Sequence, residues 1–101
     1  MEKANQYAAQ VPLNVMETAF ETYATLRHMA QAGNPASITD VGVGALCVDT
    51  CIQGAALNVR INLGGIKNED FKTNLAGRVK ELLAASAQER VEIMEVVEGK
   101  M

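Results

Sequence analysis

The segment from Ile38 to Leu63 constrains the fold most, because a helix built from it is apolar on nearly every side. Two stripes recur along this segment at helical spacing. The first consists of Asp40, Gly44, Cys47, Cys51, Gly54, Asn58 and Asn62, and the second of Val41, Ala45, Val48, Ile52, Ala56, Val59 and Leu63. Because both stripes are mostly apolar or small, only a strip with Asp49 and Gln53 is expected to be exposed. A helix of this kind is typical of the centre of a bundle.

Capping and breaking residues divide the chain into three helices, at about 12–32, 38–63 and 69–98. Pro12 suits the first turn of the first helix, and Gly33 is expected to end it as a left-handed cap. Ser37 and Asp40 have the spacing of a capping box, and Asn68 precedes the third helix. Residues 1–10 are helix-prone and fit either the tail of another helix or a frayed terminus. Since no strand pattern occurs, the predicted fold class is all-α.

Two neighbouring helices do not suffice to cover the central one. A helix that is apolar all round needs several neighbours at about 8–10 Å. The first and third helices offer two apolar sides, which include Tyr23 and Ser86 respectively. The predicted fold is therefore a helical bundle with a buried central helix, completed by a partner chain or by a missing half of the domain. Small residues mark where that partner could come close: Gly42, Gly44, Ala45, Gly54 and Ala55.

Charge and composition exclude several classes of protein. The net charge is −3 and the Lys and Arg residues are scattered, whereas nucleic-acid binding needs a concentrated basic surface. Asp49, Gln53 and Asn58 interrupt the longest apolar region, which argues against a membrane span. No signal-peptide pattern opens the sequence, so a cytoplasmic location is expected.

The two cysteines and the single histidine do not indicate a metal or redox site. Cys47 and Cys51 lie one helical turn apart, where disulfide geometry is poor, and no further Cys or His completes a zinc site. Both are expected to be small buried thiols in a reducing compartment. His28 is expected on the surface in the last turn of its helix, rather than in a catalytic role. No metal or redox cofactor is therefore expected.

Several segments carry a pattern more specific than helical periodicity. They are Gly33 to Val41, Gly54 to Leu63, and the positions of Ile66 and Phe71. Together they resemble the formiminotetrahydrofolate cyclodeaminase/methenyltetrahydrofolate cyclohydrolase family, which shows a Gly-Asn loop, a Ser-Asp helix start and a Gly-Ala-x-x-Asn-Val-x-Ile-Asn-Leu run at this spacing. Val11-Pro12-Leu13 also matches the start of the family's preceding helix. The resemblance covers nearly the whole chain.

The resemblance implies that residues 1–101 correspond to the C-terminal half of the family's helical domain. The other half, with a Pro-Gly-Gly-Gly-Ser loop and the principal catalytic carboxylate, has no counterpart in this sequence. The catalytic residues are therefore unknown, and the chain is expected to be inactive alone. The implied substrate is a tetrahydrofolate derivative. In the deaminase (lyase-type) reaction N10 attacks a formimino carbon on N5 and ammonia leaves; in the hydrolase reaction water opens the methenyl ring.

The resemblance also nominates substrate-binding residues. Asp40, Asn58 and Asn62 stand at matching positions, and Arg60 between them is a candidate contact for the folate tail. Alternatively, Asp40 caps its helix, the two carboxamides hydrogen-bond a neighbouring helix, and Arg60 is an ordinary surface residue. Asp40 and Asn58 share a helix face but lie about 27 Å apart along it, too far to contact one pterin together.

Three functions remain open from the sequence. The chain is part of a cyclodeaminase or cyclohydrolase, a non-catalytic helical assembly module that keeps the family's packing surface, or a small-molecule binder that keeps folate affinity without turnover. The absent Gly-rich loop favours the last two for the chain by itself, whereas the match around Asn58 and Asn62 favours the first. The expected partners are a folate-type small molecule and either a second copy, as in a homodimer, or a complementary N-terminal half.

Overall fold

The computed structural model describes all residues, 1–101, and contains three α-helices and no strand. Helix α1 spans Glu2–Ala32, α2 spans Ile38–Leu63 and α3 spans Glu69–Gly99. The helices run side by side in an elongated bundle of 52 × 17 × 16 Å. The all-α fold class is confirmed, and α2 and α3 have the bounds expected from the capping residues to within one position.

Helix α1 begins at Glu2 rather than at Pro12, which lies inside the helix. A proline in a helix interior removes one hydrogen bond and costs about 3 kcal/mol, so sequence rules place it at a helix start. Contacts with the rest of the chain hold the earlier turns in place. Ala9 is fully buried, and the Asn5 side chain donates to the carbonyl oxygen of Gly65 at 2.9 Å. Local sequence does not reveal these contacts, because the partner lies in the connection between α2 and α3.

At each end of the bundle, a charged side chain links one helix to a neighbouring segment of the chain. At one end, the Glu2 carboxylate accepts hydrogen bonds from the backbone N–H of Lys67 at 2.8 Å and of Asn68 at 3.1 Å. At the other end, Lys100 Nζ donates to the carbonyl oxygens of Ala30 and Gln31, both at 2.6 Å. Helix termini leave such backbone groups without helical partners. Both links therefore satisfy groups that would otherwise depend on water.

Glu2→Gln is expected to lower stability at neutral pH but not in acid. The hydrogen bond from the Lys67 backbone, with smaller help from Gln6, lowers the pKa of Glu2 below its usual 4.5. A depressed folded-state pKa means that this stabilisation is present above the unfolded pKa and is lost as the pH falls through the folded one. Urea unfolding of wild type and variant should therefore differ at neutral pH and converge in acid. Glu21→Gln, at an exposed carboxylate, is the control; a difference that persists in strong acid would contradict this role.

The connection between α1 and α2 does not use the left-handed glycine cap that the sequence predicted. Gly33 has φ −71° and ψ 153°, an extended conformation open to any residue. Glycine is needed there for a different reason, because a Cβ would lie 2.5 Å from the carbonyl oxygen of Met29. The Ser37 side chain does not cap α2 either. Instead, Asn34 Oδ1 accepts from the backbone N–H of Ala36 at 2.9 Å and of Ser37 at 3.2 Å, which fixes the turn.

One side of α2 is buried against the other two helices. Most of the buried apolar residues of α2 follow the second predicted stripe: Val41, Ala45, Ile52, Ala56 and Val59. Asp49 is only 5% exposed, so the expectation that it lies on an exposed strip was wrong. Its burial depends on a hydrogen bond and an ion pair supplied by α3, which the sequence of α2 alone does not show.

The opposite side of α2 is exposed in this chain. We call it the open face, and it consists of Val43, Leu46, Cys47, Cys51, Gly54, Leu57 and Ile61. Leu57 is 63% exposed and Ile61 79% exposed. Aligned large aliphatic side chains of this kind commonly mark an interaction surface. The expectation that Cys47 and Cys51 are buried was therefore wrong for the single chain.

Most of the small residues of α2 serve packing within the chain. A Cβ on Gly42 would lie 3.2 Å from Val97 of α3, and one on Gly44 would lie 3.1 Å from Leu26 of α1. The two alanines of the predicted set are buried. Only Gly54 has open space around it. The small residues of α2 thus mainly allow the three helices of this chain to pack closely against one another, rather than marking the approach of a partner.

By length and composition alone, α2 is the one helix long and apolar enough to cross a membrane. A helix in the core of a soluble protein meets the same criterion, and 39% of the apolar window of α2 is buried in the bundle. This feature is therefore weak evidence for a membrane span.

Candidate functional site

A polar cluster links all three helices near the middle of the bundle. The hydroxyl oxygens of Tyr23 in α1 and Ser86 in α3 lie 2.6 Å apart, and Ser86 Oγ donates to Asp49 Oδ1 of α2 at 2.7 Å. Since the Ser86 proton goes to the carboxylate, the Tyr23 hydroxyl is the donor to Ser86. All three residues are buried. The result is an ordered chain of hydrogen bonds that ends on a carboxylate.

The second oxygen of Asp49 faces two further polar side chains. Gln53 Nε2 donates to Oδ2 at 2.8 Å, and Arg90 Nε lies 3.1 Å from the same oxygen in an ion pair. A buried carboxylate is tolerated only when it is paired and hydrogen-bonded, and here both oxygens are engaged. The Arg90 Nε is itself buried and makes no well-aligned hydrogen bond, so its partner is the charge of Asp49.

Asp49 and Arg90 border a cleft between α2 and α3 with a volume of 380 Å³. Its walls combine aliphatic and charged side chains: Asp49, Gln53, Ala56, Leu57, Arg60, Leu83, Ala87 and Arg90. Two guanidinium groups and one carboxylate give the cleft a net positive charge, although the whole chain carries −3. Apolar walls with a few convergent polar groups are typical of small-molecule sites.

We expect the wild-type chain to lose stability in alkali as Tyr23 ionises, and we expect Tyr23→Phe to lack this loss. Burial raises the pKa of the Tyr23 phenol, and the negative charge of the nearby Asp49 adds to this effect. A raised folded-state pKa means that the stabilisation is complete below the unfolded pKa, which is 10.0 for a free phenol, and is lost as the pH rises through the folded value. At neutral pH the variant should lose about 1 kcal/mol, since one buried hydrogen bond is gone.

Urea unfolding between neutral and strongly alkaline pH measures both effects. The difference in the free energy of unfolding between wild type and Tyr23→Phe should become smaller as the pH rises past the usual tyrosine pKa. Tyr7→Phe is the matched control, because Tyr7 is 71% exposed and is not part of the cluster. Equal alkaline behaviour of the two variants would show that the buried phenol is not responsible.

The structure separates the residues that the sequence nominated for substrate binding. Asp40 is exposed in the first turn of α2, and its carboxylate makes no hydrogen bond within the chain. The alternative role of Asp40 in a capping box is therefore not formed. At the other end of α2, Asn58 is exposed, and the Asn62 side chain donates to the Asn58 carbonyl oxygen at 2.8 Å. Within this chain the carboxamides bond no other helix, and of the four nominated residues only Arg60 borders the cleft.

The residues of the polar cluster were not predicted as a site, although the sequence contains a signal for them. Tyr23 and Ser86 occupy positions in the apolar sides of their helices, and Asp49 interrupts the most apolar segment. A polar residue in an apolar phase must find a buried partner. Three such residues on three helices could have been matched with one another.

Comparison with known proteins identifies similar sequences over the whole chain. A family model described as formiminotransferase-cyclodeaminase matches residues 1–81. The formimidoyltransferase-cyclodeaminase of Dictyostelium discoideum is 31% identical over 99% of this chain, which is 19% of that protein's length. The Gallus gallus protein of the same name is also 31% identical and is covered over 18% of its length.

A shorter relative has a different name. The methenyltetrahydrofolate cyclohydrolase of Methylorubrum extorquens is 29% identical over 100% of this chain and is covered over 49% of its length. The chain therefore spans about half of this cyclohydrolase and about a fifth of the longer relatives. The resemblance seen in the sequence motifs is confirmed by both groups of relatives.

Proposed function

This chain belongs to the formiminotransferase-cyclodeaminase family, and we propose that it is the C-terminal half of a domain that carries out one-carbon chemistry on tetrahydrofolate derivatives. The observation that carries the proposal is the match of the whole chain to relatives named as a cyclodeaminase and as a cyclohydrolase. The reaction is deamination of a formimino group or hydrolysis of a methenyl group. We place the protein in the cytoplasm.

The open face of α2 supports the proposal that the domain is completed by further protein. Large aliphatic side chains such as Leu57 and Ile61 lie on it without cover. The cyclohydrolase relative is about twice as long as this chain, so a complementary N-terminal half is the occupant that we propose. A second copy of this chain, forming a homodimer, is the alternative that the experiment below distinguishes.

The nominated substrate residues lie where such a junction would form. Asp40 and Asn58 share one side of α2, next to the open face, and both are exposed. A complementary half on the open face would border both side chains and bury them. We propose that Asp40, Asn58 and Asn62 contact substrate from opposite ends of this junction, while Arg60 contacts the folate tail from the cleft. No metal or further cofactor is part of this proposal.

A reconstitution experiment tests the function. The chain is mixed with the part of the Methylorubrum extorquens cyclohydrolase that it does not match, and the absorbance of methenyltetrahydrofolate is followed. The chain alone should not exceed the spontaneous rate, and the mixture should. Formimino-tetrahydrofolate with ammonia detection tests the deaminase alternative. Rapid turnover by the chain alone would contradict the half-domain proposal, and a chain that forms a stable inactive dimer would favour the second copy.

A second candidate function is a non-catalytic helical assembly module. The open face favours this second function as well, because an exposed apolar surface can bind a partner without any catalytic residue. A tight complex with the complementary half that shows no turnover with either substrate would support the module over the enzyme.

Asp40→Asn in the completed domain is expected to leave the midpoint of thermal unfolding unchanged and to weaken folate binding or turnover about tenfold or more, as loss of a charged contact does. The structural reason is that Asp40 makes no hydrogen bond within the chain, so the fold does not depend on it. Turnover per folded molecule and thermal unfolding are measured on the same samples. Unchanged turnover would remove Asp40 from the substrate site.

A further inference from the structure

Two arginines in the cleft between α2 and α3 have donors that the chain does not use. Arg60 is exposed and makes no hydrogen bond or ion pair within the chain. Arg90 meets Asp49 through Nε at 3.1 Å, and its terminal nitrogens make no bond. Both side chains border the same cleft. A guanidinium group presents its terminal N–H groups as a planar fork, which matches the two oxygens of a carboxylate.

We propose that this cleft binds a carboxylate group of a ligand between Arg60 and Arg90, and that Asp49 is a positioning residue that orients Arg90 for this contact. A cation would be repelled by the net positive charge of the cleft. Aliphatic walls at Leu57 and Leu83 lie beside the two guanidinium groups and can contact the hydrocarbon part of such a ligand.

The position of Arg90 follows from the polar cluster. Asp49 is itself held by Ser86 at 2.7 Å and by Gln53 at 2.8 Å, so its carboxylate is a fixed point in the core. Arg90 is anchored to that point through Nε, which leaves the two terminal nitrogens of this cleft-lining residue without a partner in the chain. A side chain held in this way loses less freedom when a ligand binds than a free arginine does.

The inference rests on the proposed function only for the identity of the ligand, since the tail of a folate carries carboxylates. Carboxylate binding is measured on the chain itself and needs neither turnover nor a partner. Failure of reconstitution would therefore leave the cleft proposal intact, and absence of carboxylate binding would leave the proposed function intact.

The test is a titration of the ¹⁵N-labelled full chain with glutarate at constant ionic strength, followed by amide and arginine Nε–H resonances. Saturable shifts are expected at Leu57, Arg60, Leu83 and Arg90. Arg60→Gln should weaken glutarate binding about tenfold, because one charged fork is lost while no bond within the chain is disturbed. Lys80→Gln, at an exposed cation on α3 outside the cleft, should leave binding unchanged.

The direction in which Asp49→Asn changes glutarate affinity distinguishes a positioning role of Asp49 from a purely electrostatic one. If Asp49 only added negative charge near the anion, its neutralisation would strengthen glutarate binding. If Asp49 orients Arg90, binding should weaken and the Arg90 Nε–H resonance should broaden or move. Amide spectra of Asp49→Asn establish whether this variant is folded. If it is not folded, Arg60→Gln still tests the site.

Competition identifies the source of the carboxylate. Folic acid that displaces glutarate points to a folate tail, and folic acid that does not compete points to a free dicarboxylate; both results keep the site. The proposal is overturned if glutarate shifts are not saturable, if chloride reproduces them, or if Lys80→Gln weakens binding as much as Arg60→Gln. Tighter binding by folded Asp49→Asn would overturn the positioning role.

Discussion

Asp49→Ala is expected to lower the free energy of unfolding by about 3 kcal/mol, because it leaves the buried Ser86 hydroxyl without its acceptor and the buried Arg90 Nε without its counter-charge. The side chains of Ser86 and Gln53 both donate to this carboxylate, and Arg90 Nε pairs with its charge. Arg90 is about one-third exposed, with 34% of its side-chain surface accessible, so water compensates part of its loss. The hydroxyl of Ser86 lies fully inside the bundle, out of reach of water, and keeps only the Tyr23 hydroxyl as a polar neighbour.

Urea unfolding followed by circular dichroism measures this effect. Asp40→Ala is the matched control, since it removes a carboxylate from the same helix at an exposed position without a bonding partner. The control should change the free energy of unfolding by no more than about 0.5 kcal/mol, as is usual for exposed positions. Equal effects of the two substitutions would mean that the cluster does not stabilise the fold.

The second large effect concerns the open face. Leu57→Glu combined with Ile61→Glu is expected to weaken association with the complementary half, or with a second copy, by roughly a hundredfold or more, since buried charges without partners are costly. The stability of the single chain should hardly change, because both side chains are already exposed. Thus the same substitutions should separate folding from association.

Sedimentation equilibrium and calorimetric titration with the complementary half measure that association. Lys80→Glu on α3 changes the charge of an exposed residue away from the open face and serves as the control. A double variant that associates as tightly as wild type would show that the open face is not the interface. A double variant that no longer folds would show that these residues are needed within the single chain.

Helical periodicity predicted much of the fold, because the signal is local. The buried stripe of α2 from Val41 to Val59 and the start of α3 after Asn68 both follow from spacing and capping. The start of α1 could not be predicted in this way. Its first turns are held by Glu2 and Asn5, which bond to the distant connection between α2 and α3.

The candidate site was less predictable than the fold, and the reason is again the distance in sequence between its parts. Asp49 belongs to an apolar helix, and the hydroxyl of Ser86 and the charge of Arg90, both on α3, make its burial possible. Arg60 was nominated because it lies between two asparagines that match the family, and the structure adds that it borders a cleft. The importance of Arg90 could not be inferred before its position next to Asp49 was known.

The polar cluster also determines how the three helices are aligned along their common axis. Surfaces rich in alanine and valine remain in contact when one helix slides by a turn, about 5.4 Å, because small aliphatic side chains are nearly interchangeable. The bonds from Tyr23 to Ser86 and from Ser86 to Asp49 are lost by the same movement. An all-apolar replacement of these three residues could therefore match the natural chain in stability and still populate several alignments. In this bundle, hydrophobic contact provides the drive to associate, and a few hydroxyl and carboxylate groups select one arrangement.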